Sequence, residues 1–147
     1  MEVSVNSGVY VGLVRVVSEV SVLRQKVLNF HWNVEGEGFY EKHLLFERVY
    51  ESIDGFVDRL AEGCRKYGRA PGEFSVYLRV SGIKETDGIP APGEMVSILM
   101  RDFEVLKKTV YEVNESAESA REIGVVNLLG DLAETIDVSL YLLSSSK

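Results

Sequence analysis

The chain has 147 residues, 46% of them hydrophobic and 27% charged, with a formal net charge of −7. That balance suits one small globular unit, residues 1–147, and the acidic surplus argues against tight binding to nucleic acid. A single cysteine excludes an internal disulfide, no apolar run reaches membrane-spanning length and no signal pattern opens the chain, so a cytoplasmic location is expected.

The apolar pattern predicts an all-α fold of four long helices. The first runs from about Val9 to Val34, with Val9, Leu13, Val16, Val20, Leu23, Val27 and Phe30 at alternating steps of four and three. Its valines and Gly12 favour strand locally, but the sustained helical period outweighs them. Gly36 and Gly38 mark a link. The second helix runs from about Tyr40 to Tyr67 on a stripe of Leu45, Val49, Ile53, Phe56, Leu60 and Cys64. Cys64 thus reads as a buried, inert thiol. After the loop Gly68-Arg69-Ala70-Pro71-Gly72 comes a short helix from about Glu73 to Val80. The third long helix starts near Pro92, a good first-turn residue, and carries Met95, Leu99, Phe103, Leu106, Val110, Val113 and Ala117. The fourth carries Val125, Leu129, Leu132, Ile136, Leu140 and Leu143. The connection between the second and third is long enough to cross a bundle.

Chemistry concentrates at the start of the second helix. The chain's two histidines are His31, in His31-Trp32-Asn33, and His43, four residues before Glu47; eleven residues after Glu47 comes Asp58, and four further Glu62. Imidazole nitrogen beside carboxylate oxygen is the donor mixture that iron takes, although zinc and manganese accept related sets. His43, Glu47, Asp58 and Glu62 share one helix face, yet Glu47 and Asp58 lie roughly 16 Å apart along the axis. One helix therefore cannot wrap all four around a metal whose bonds to such ligands are about 2 Å.

A second copy resolves this. The pairs His43/Glu62 and Glu47/Asp58 share a midpoint between Ser52 and Ile53. Two copies of the helix packed antiparallel about a two-fold there set His43 and Glu47 of one against Glu62 and Asp58 of the other. Two equivalent sites result, roughly 22 Å apart along the helix, each built by two subunits. By itself, the stripe of Glu47, Glu51, Asp54, Asp58 and Glu62 is also what an ordinary solvated helix face looks like. Two features point past that reading. Both histidines fall in the constellation, and the stacked like charges need water, Arg48 and Arg59, or a cation to offset them.

The run His31-Trp32-Asn33-Val34-Glu35-Gly36, followed by Phe39, His43, Glu47, Asp58, Ala61 and Glu62, resembles the Dps family (DNA-binding proteins from starved cells), miniferritins of the ferritin-like superfamily. The resemblance extends through Ser81-Gly82-Ile83-Lys84-Glu85, Glu94-Met95-Val96 and, more weakly, Leu128-Leu129. It implies a ferritin-like four-helix bundle with a long crossover between helices two and three. It also implies a homo-oligomer, a hollow dodecamer, that oxidises Fe(II) with hydrogen peroxide at two-fold interfaces and stores the ferric mineral, protecting DNA from oxidative damage. The metal would be iron at a di-iron site, with no organic cofactor. His31, His43 and Glu47 would come from one subunit and Asp58 and Glu62 from its partner. Trp32 would neighbour the site, as interface packing with a secondary redox role.

Several departures qualify the carry-over. The family usually has Asp where Glu47 stands; Asn127 replaces a common pore Asp, leaving Asp131 and Glu134 as pore candidates; and Asp137-Val138 and Tyr141 stand where Glu-Lys and Trp are common. Direct DNA binding is expected to be weak or absent, because Met1 to Ser7 lack a basic side chain and Ser144 to Lys147 offer one lysine. The rival readings are a catalytically inactive shell or interaction protein, and a di-iron enzyme of the rubrerythrin or bacterioferritin sort. The latter needs paired Glu-x-x-His motifs, which the chain lacks.

Overall fold

A computed structural model describes residues 3–147, and side chains from residue 7 onwards. Met1 and Glu2, counted above among the residues without a basic arm, lie outside the described residues. The described chain is all-helical: α1 (Val3–Asn33), α2 (Phe39–Cys64), α3 (Phe74–Val80), α4 (Pro92–Ser119) and α5 (Ile123–Ser145). None of these helices is long and apolar enough to cross a membrane.

Cross-helix pairs fix the directions of the four long helices. Arg24 of α1 meets Asp54 of α2, and His31 meets His43, so these two run antiparallel. Arg15 with Glu112 and Lys26 with Asp102 make α1 antiparallel to α4 as well. Arg59 bonds Asp131 while Gly63 packs near Leu128, which sets α5 antiparallel to α2. Helices α2 and α4 consequently run the same way, and only a long crossover can join them. That crossover carries α3, which packs on α1. Tyr77 anchors it by donating to the Pro71 carbonyl at 2.7 Å, and Tyr10 donates to the Arg69 carbonyl at 2.7 Å.

The predicted stripes become the core. Every residue of the α1 and α4 stripes is buried, as are Val49, Ile53, Phe56, Leu60 and Cys64 of α2. Two positions differ: Leu45 and Leu140 are half-buried, and Phe46 enters the core in place of Leu45. The reason is phase, since Phe46, Val49, Ile53, Phe56 and Leu60 keep alternating steps of three and four, whereas Leu45 falls off that face. Helix α1 begins earlier than expected, at Val3, and α2 ends earlier, at Cys64, where turn bonds from the Tyr67 and Gly68 amides return to the Cys64 carbonyl.

Gly12 has a positive structural reason. A Cβ there would lie 2.6 Å from a Val113 methyl, so the missing side chain lets α1 and α4 close. The residue that argues locally against a helix is the one its packing requires.

Candidate metal centre

The corner between α1 and α2 is built on a buried aromatic pair, Phe30 and Phe46, with ring centroids 6.3 Å apart. Above them Gly36 (φ 95°) and Gly38 (φ 75°) turn the chain through left-handed backbone that a side chain would strain. This brings the end of α1 against the first turns of α2. His31 and His43, twelve residues apart in sequence, stack with centroids 3.9 Å apart at 16°.

Their hydrogen bonds are reciprocal. His31 Nδ1 lies 2.8 Å from the His43 carbonyl oxygen, and His43 Nδ1 lies 2.8 Å from the His31 carbonyl oxygen. A carbonyl only accepts, so each Nδ1 carries the proton and donates. In each neutral ring the lone pair then resides on Nε2, free for a metal ion. A ring nitrogen fixed this way sets the tautomer and aims its partner nitrogen as a ligand.

The carboxylates divide into two groups. Asp54 is held by Arg24 Nε at 2.6 Å, and Asp131 by Arg59 at 3.0 Å, with the Arg59 guanidinium over the Phe56 ring. By contrast, none of the ion pairs among the described residues involves Glu47, Asp58 or Glu62. Arg59, expected to relieve the acidic stripe, thus spends its charge on α5. Glu47 is half-buried, and Asp58 and Glu62 are exposed. The structure brings the two histidines together but does not add the acids to them: among the described residues, no group of three or more His, Cys, Asp or Glu within the chain could hold a metal ion.

The remaining candidates are spread over the fold. Trp32 is 61% exposed and opens onto a groove of about 670 Å³ between α1 and α3, with Phe74, Leu78 and Asp87 on its walls. Asp131 is tied to Arg59, and Glu134 is exposed on α5. Cys64 is fully buried and burial pushes its thiol up to about 11, the inert state expected of it.

One neighbour was not singled out for a role by sequence reasoning. Phe39, the first residue of α2, stacks on His43 with centroids 5.2 Å apart. Its place four residues before a histidine, on the same helix face, is a signal that could have found it.

Comparison with known proteins places this geometry in context. The Ferritin profile, a ferritin-like domain, matches residues 12–145. The chain is 31% identical over 146 residues to a DNA protection during starvation protein from Brevibacillus brevis, covering 99% of this chain and 98% of the relative. It is 33% identical over 115 residues to DNA protection during starvation protein 2 of Bacillus anthracis, covering 77% and 78% of the two chains. The crystal structure of a Dps protein from Bacillus brevis superposes with a TM-score of 0.93 at 31% identity over 99% of this chain and 98% of that one. That of Dps from Staphylococcus aureus gives 0.88 at 28% identity over 94% and 93%. With a domain profile spanning nearly its whole length and relatives matching it end to end, the chain belongs to the Dps family of ferritin-like miniferritins.

Proposed function

We propose that this protein oxidises Fe(II) and stores the ferric product inside a hollow homo-oligomeric shell, a dodecamer, with hydrogen peroxide as the oxidant. The observation that carries the reading is the reciprocal clasp of His31 and His43, which frees two Nε2 atoms. They lie at one end of a helix face whose Glu47, Asp58 and Glu62 have no ion-pair partner among the described residues. Each site takes His31, His43 and Glu47 from one subunit and Asp58 and Glu62 from its partner.

Fe(II) is the substrate. Imidazole suits the ferrous ion, and hard carboxylate oxygen gains relative strength as the charge rises to Fe(III), so the mixed set favours the oxidised product. Two Fe(II) ions give one electron each to one peroxide molecule; its O–O bond breaks, two protons are taken up and two waters form. No hydroxyl radical is released, which is how such a shell protects DNA without gripping it. The names of the relatives, DNA protection during starvation proteins, support this reading. Trp32, beside His31, serves as interface packing and as a secondary electron donor. Asp131 and Glu134 remain the candidate pore acids, the former partly neutralised by Arg59.

The test is peroxide-driven Fe(II) oxidation by purified protein beside an Asp58→Ala/Glu62→Ala variant that still assembles. Fast oxidation with soluble ferric product, abolished in the variant, is expected. Equal, slow oxidation in both would replace this reading with that of an inactive shell.

A further inference from the structure

We propose that Phe39 is a positioning residue for the metal-binding histidines, a role that rests on the metal site described above and refines it. Phe39 stays 40% exposed although it is a large apolar ring at a position the core does not need. Its backbone is set deliberately: the Phe39 amide donates to the Gly36 carbonyl at 3.1 Å, directly after the left-handed Gly38. What this turn accomplishes is to lay the phenyl face on the His43 imidazole, with centroids 5.2 Å apart and planes at 25°. His43 in turn stacks on His31 at 3.9 Å.

The three rings act together. Each imidazole is oriented by the other's backbone carbonyl, so rotation of either ring breaks its own Nδ1–H bond and opens the stack that orders its neighbour. Phe39 covers His43 and blocks that rotation. It also supplies something an aliphatic side chain cannot. An imidazole whose Nε2 binds a divalent cation takes on positive character, and two such rings 3.9 Å apart repel each other. The π face of a phenyl ring stabilises a cationic neighbour and offsets part of that repulsion. Phe39 therefore favours the metal-bound state of both histidines while touching no metal.

The experiment uses the assembled protein and Co(II) alone, added without oxidant and followed by its visible d–d absorption. Wild type, Phe39→Leu and Phe39→Tyr are compared. Phe39→Leu keeps an apolar side chain but loses the π face, and should weaken Co(II) binding roughly tenfold, the lower end of what outer-shell partners contribute. Phe39→Tyr should restore wild-type affinity and spectrum. In the oxidation assay Phe39→Leu should raise the Fe(II) concentration for half-maximal rate while the saturated rate stays. Phe39→Leu binding Co(II) as tightly as wild type, or Phe39→Tyr binding as weakly as Phe39→Leu, would overturn the role and leave the metal site standing. Wild type without Co(II) absorption would overturn the site, and this role with it. If Phe39→Leu does not assemble, Phe39→Met removes the same ring and is held to the same outcomes.

Discussion

Lys26 and Asp102 form the one ion pair of the described chain with both side chains almost wholly enclosed, 5% and 8% exposed, at 2.6 Å between α1 and α4. Neither stands out in the sequence, because a buried charge and a surface charge read alike until the partner helix is placed. Burial pushes the Asp102 carboxyl above its ordinary 3.8, and the Lys26 ammonium only partly pulls it back. The sign of the pH dependence follows. A carboxyl whose folded-state value is raised contributes stability that is fully present below the unfolded value, and loses it as pH rises through the folded value. Asp102→Asn should therefore flatten the part of the stability profile that falls from about pH 4 upward. Lys26→Met leaves the carboxylate enclosed without its cation and should cost about 3–5 kcal/mol at neutral pH, the cost shrinking in acid as Asp102 takes a proton. Denaturant unfolding across pH 3.5–7 checks both. A Lys26→Met penalty constant over that range would show that the ammonium does not compensate this carboxylate.

At the scale of the helices, the period of apolar residues carried nearly all of the fold, because a buried stripe has one phase and few ways to satisfy it. What it could not carry was the close approach of α1 to α4. Gly12 read as a weakness in α1 until Val113 was seen 2.6 Å from its absent Cβ. Gly12→Ala gains helix propensity of about 1 kcal/mol but must displace Val113, and overpacking of this kind costs about 1–3 kcal/mol. Net destabilisation is expected, and adding Val113→Ala should recover part of it, a coupling that a double-mutant cycle by urea unfolding measures. Additive effects would mean that the helices shift apart freely. Of the candidate site, the structure bears on one part, the meeting of His31 and His43. The proposed ligand types and their two-fold spacing are readings of the sequence, since helix geometry turns residue numbers into distances. The clasp between His31 and His43 is not, because it depends on the turn at Gly36 and Gly38 and on ring orientations that no spacing encodes.

For the proposed assembly, charge and symmetry make separate demands. With −7 per chain, the proposed oligomer would present a strongly negative field, one that would draw in cations and repel the DNA duplex. A gel shift at low salt and neutral pH should show no tight complex, and a tight, salt-sensitive one would require a basic surface that this composition does not supply. Symmetry makes the sharper demand. If every site joins the histidines of one subunit to Asp58 and Glu62 of its partner, two dead variants should rescue each other. His31→Ala/His43→Ala keeps the acids, and Asp58→Ala/Glu62→Ala keeps the imidazoles. Unfolded together and reassembled at random, half of the two-fold pairs are mixed, and each mixed pair holds one complete site and one that keeps only Glu47 of its five ligands. About a quarter of wild-type Fe(II) oxidation should return, although neither variant alone has any. A site closed within one chain would stay silent in every mixture, because no subunit carries both halves. Rescue therefore reports the shared geometry directly, and its absence in a mixture proven by size and mass to contain both variants would rule that geometry out.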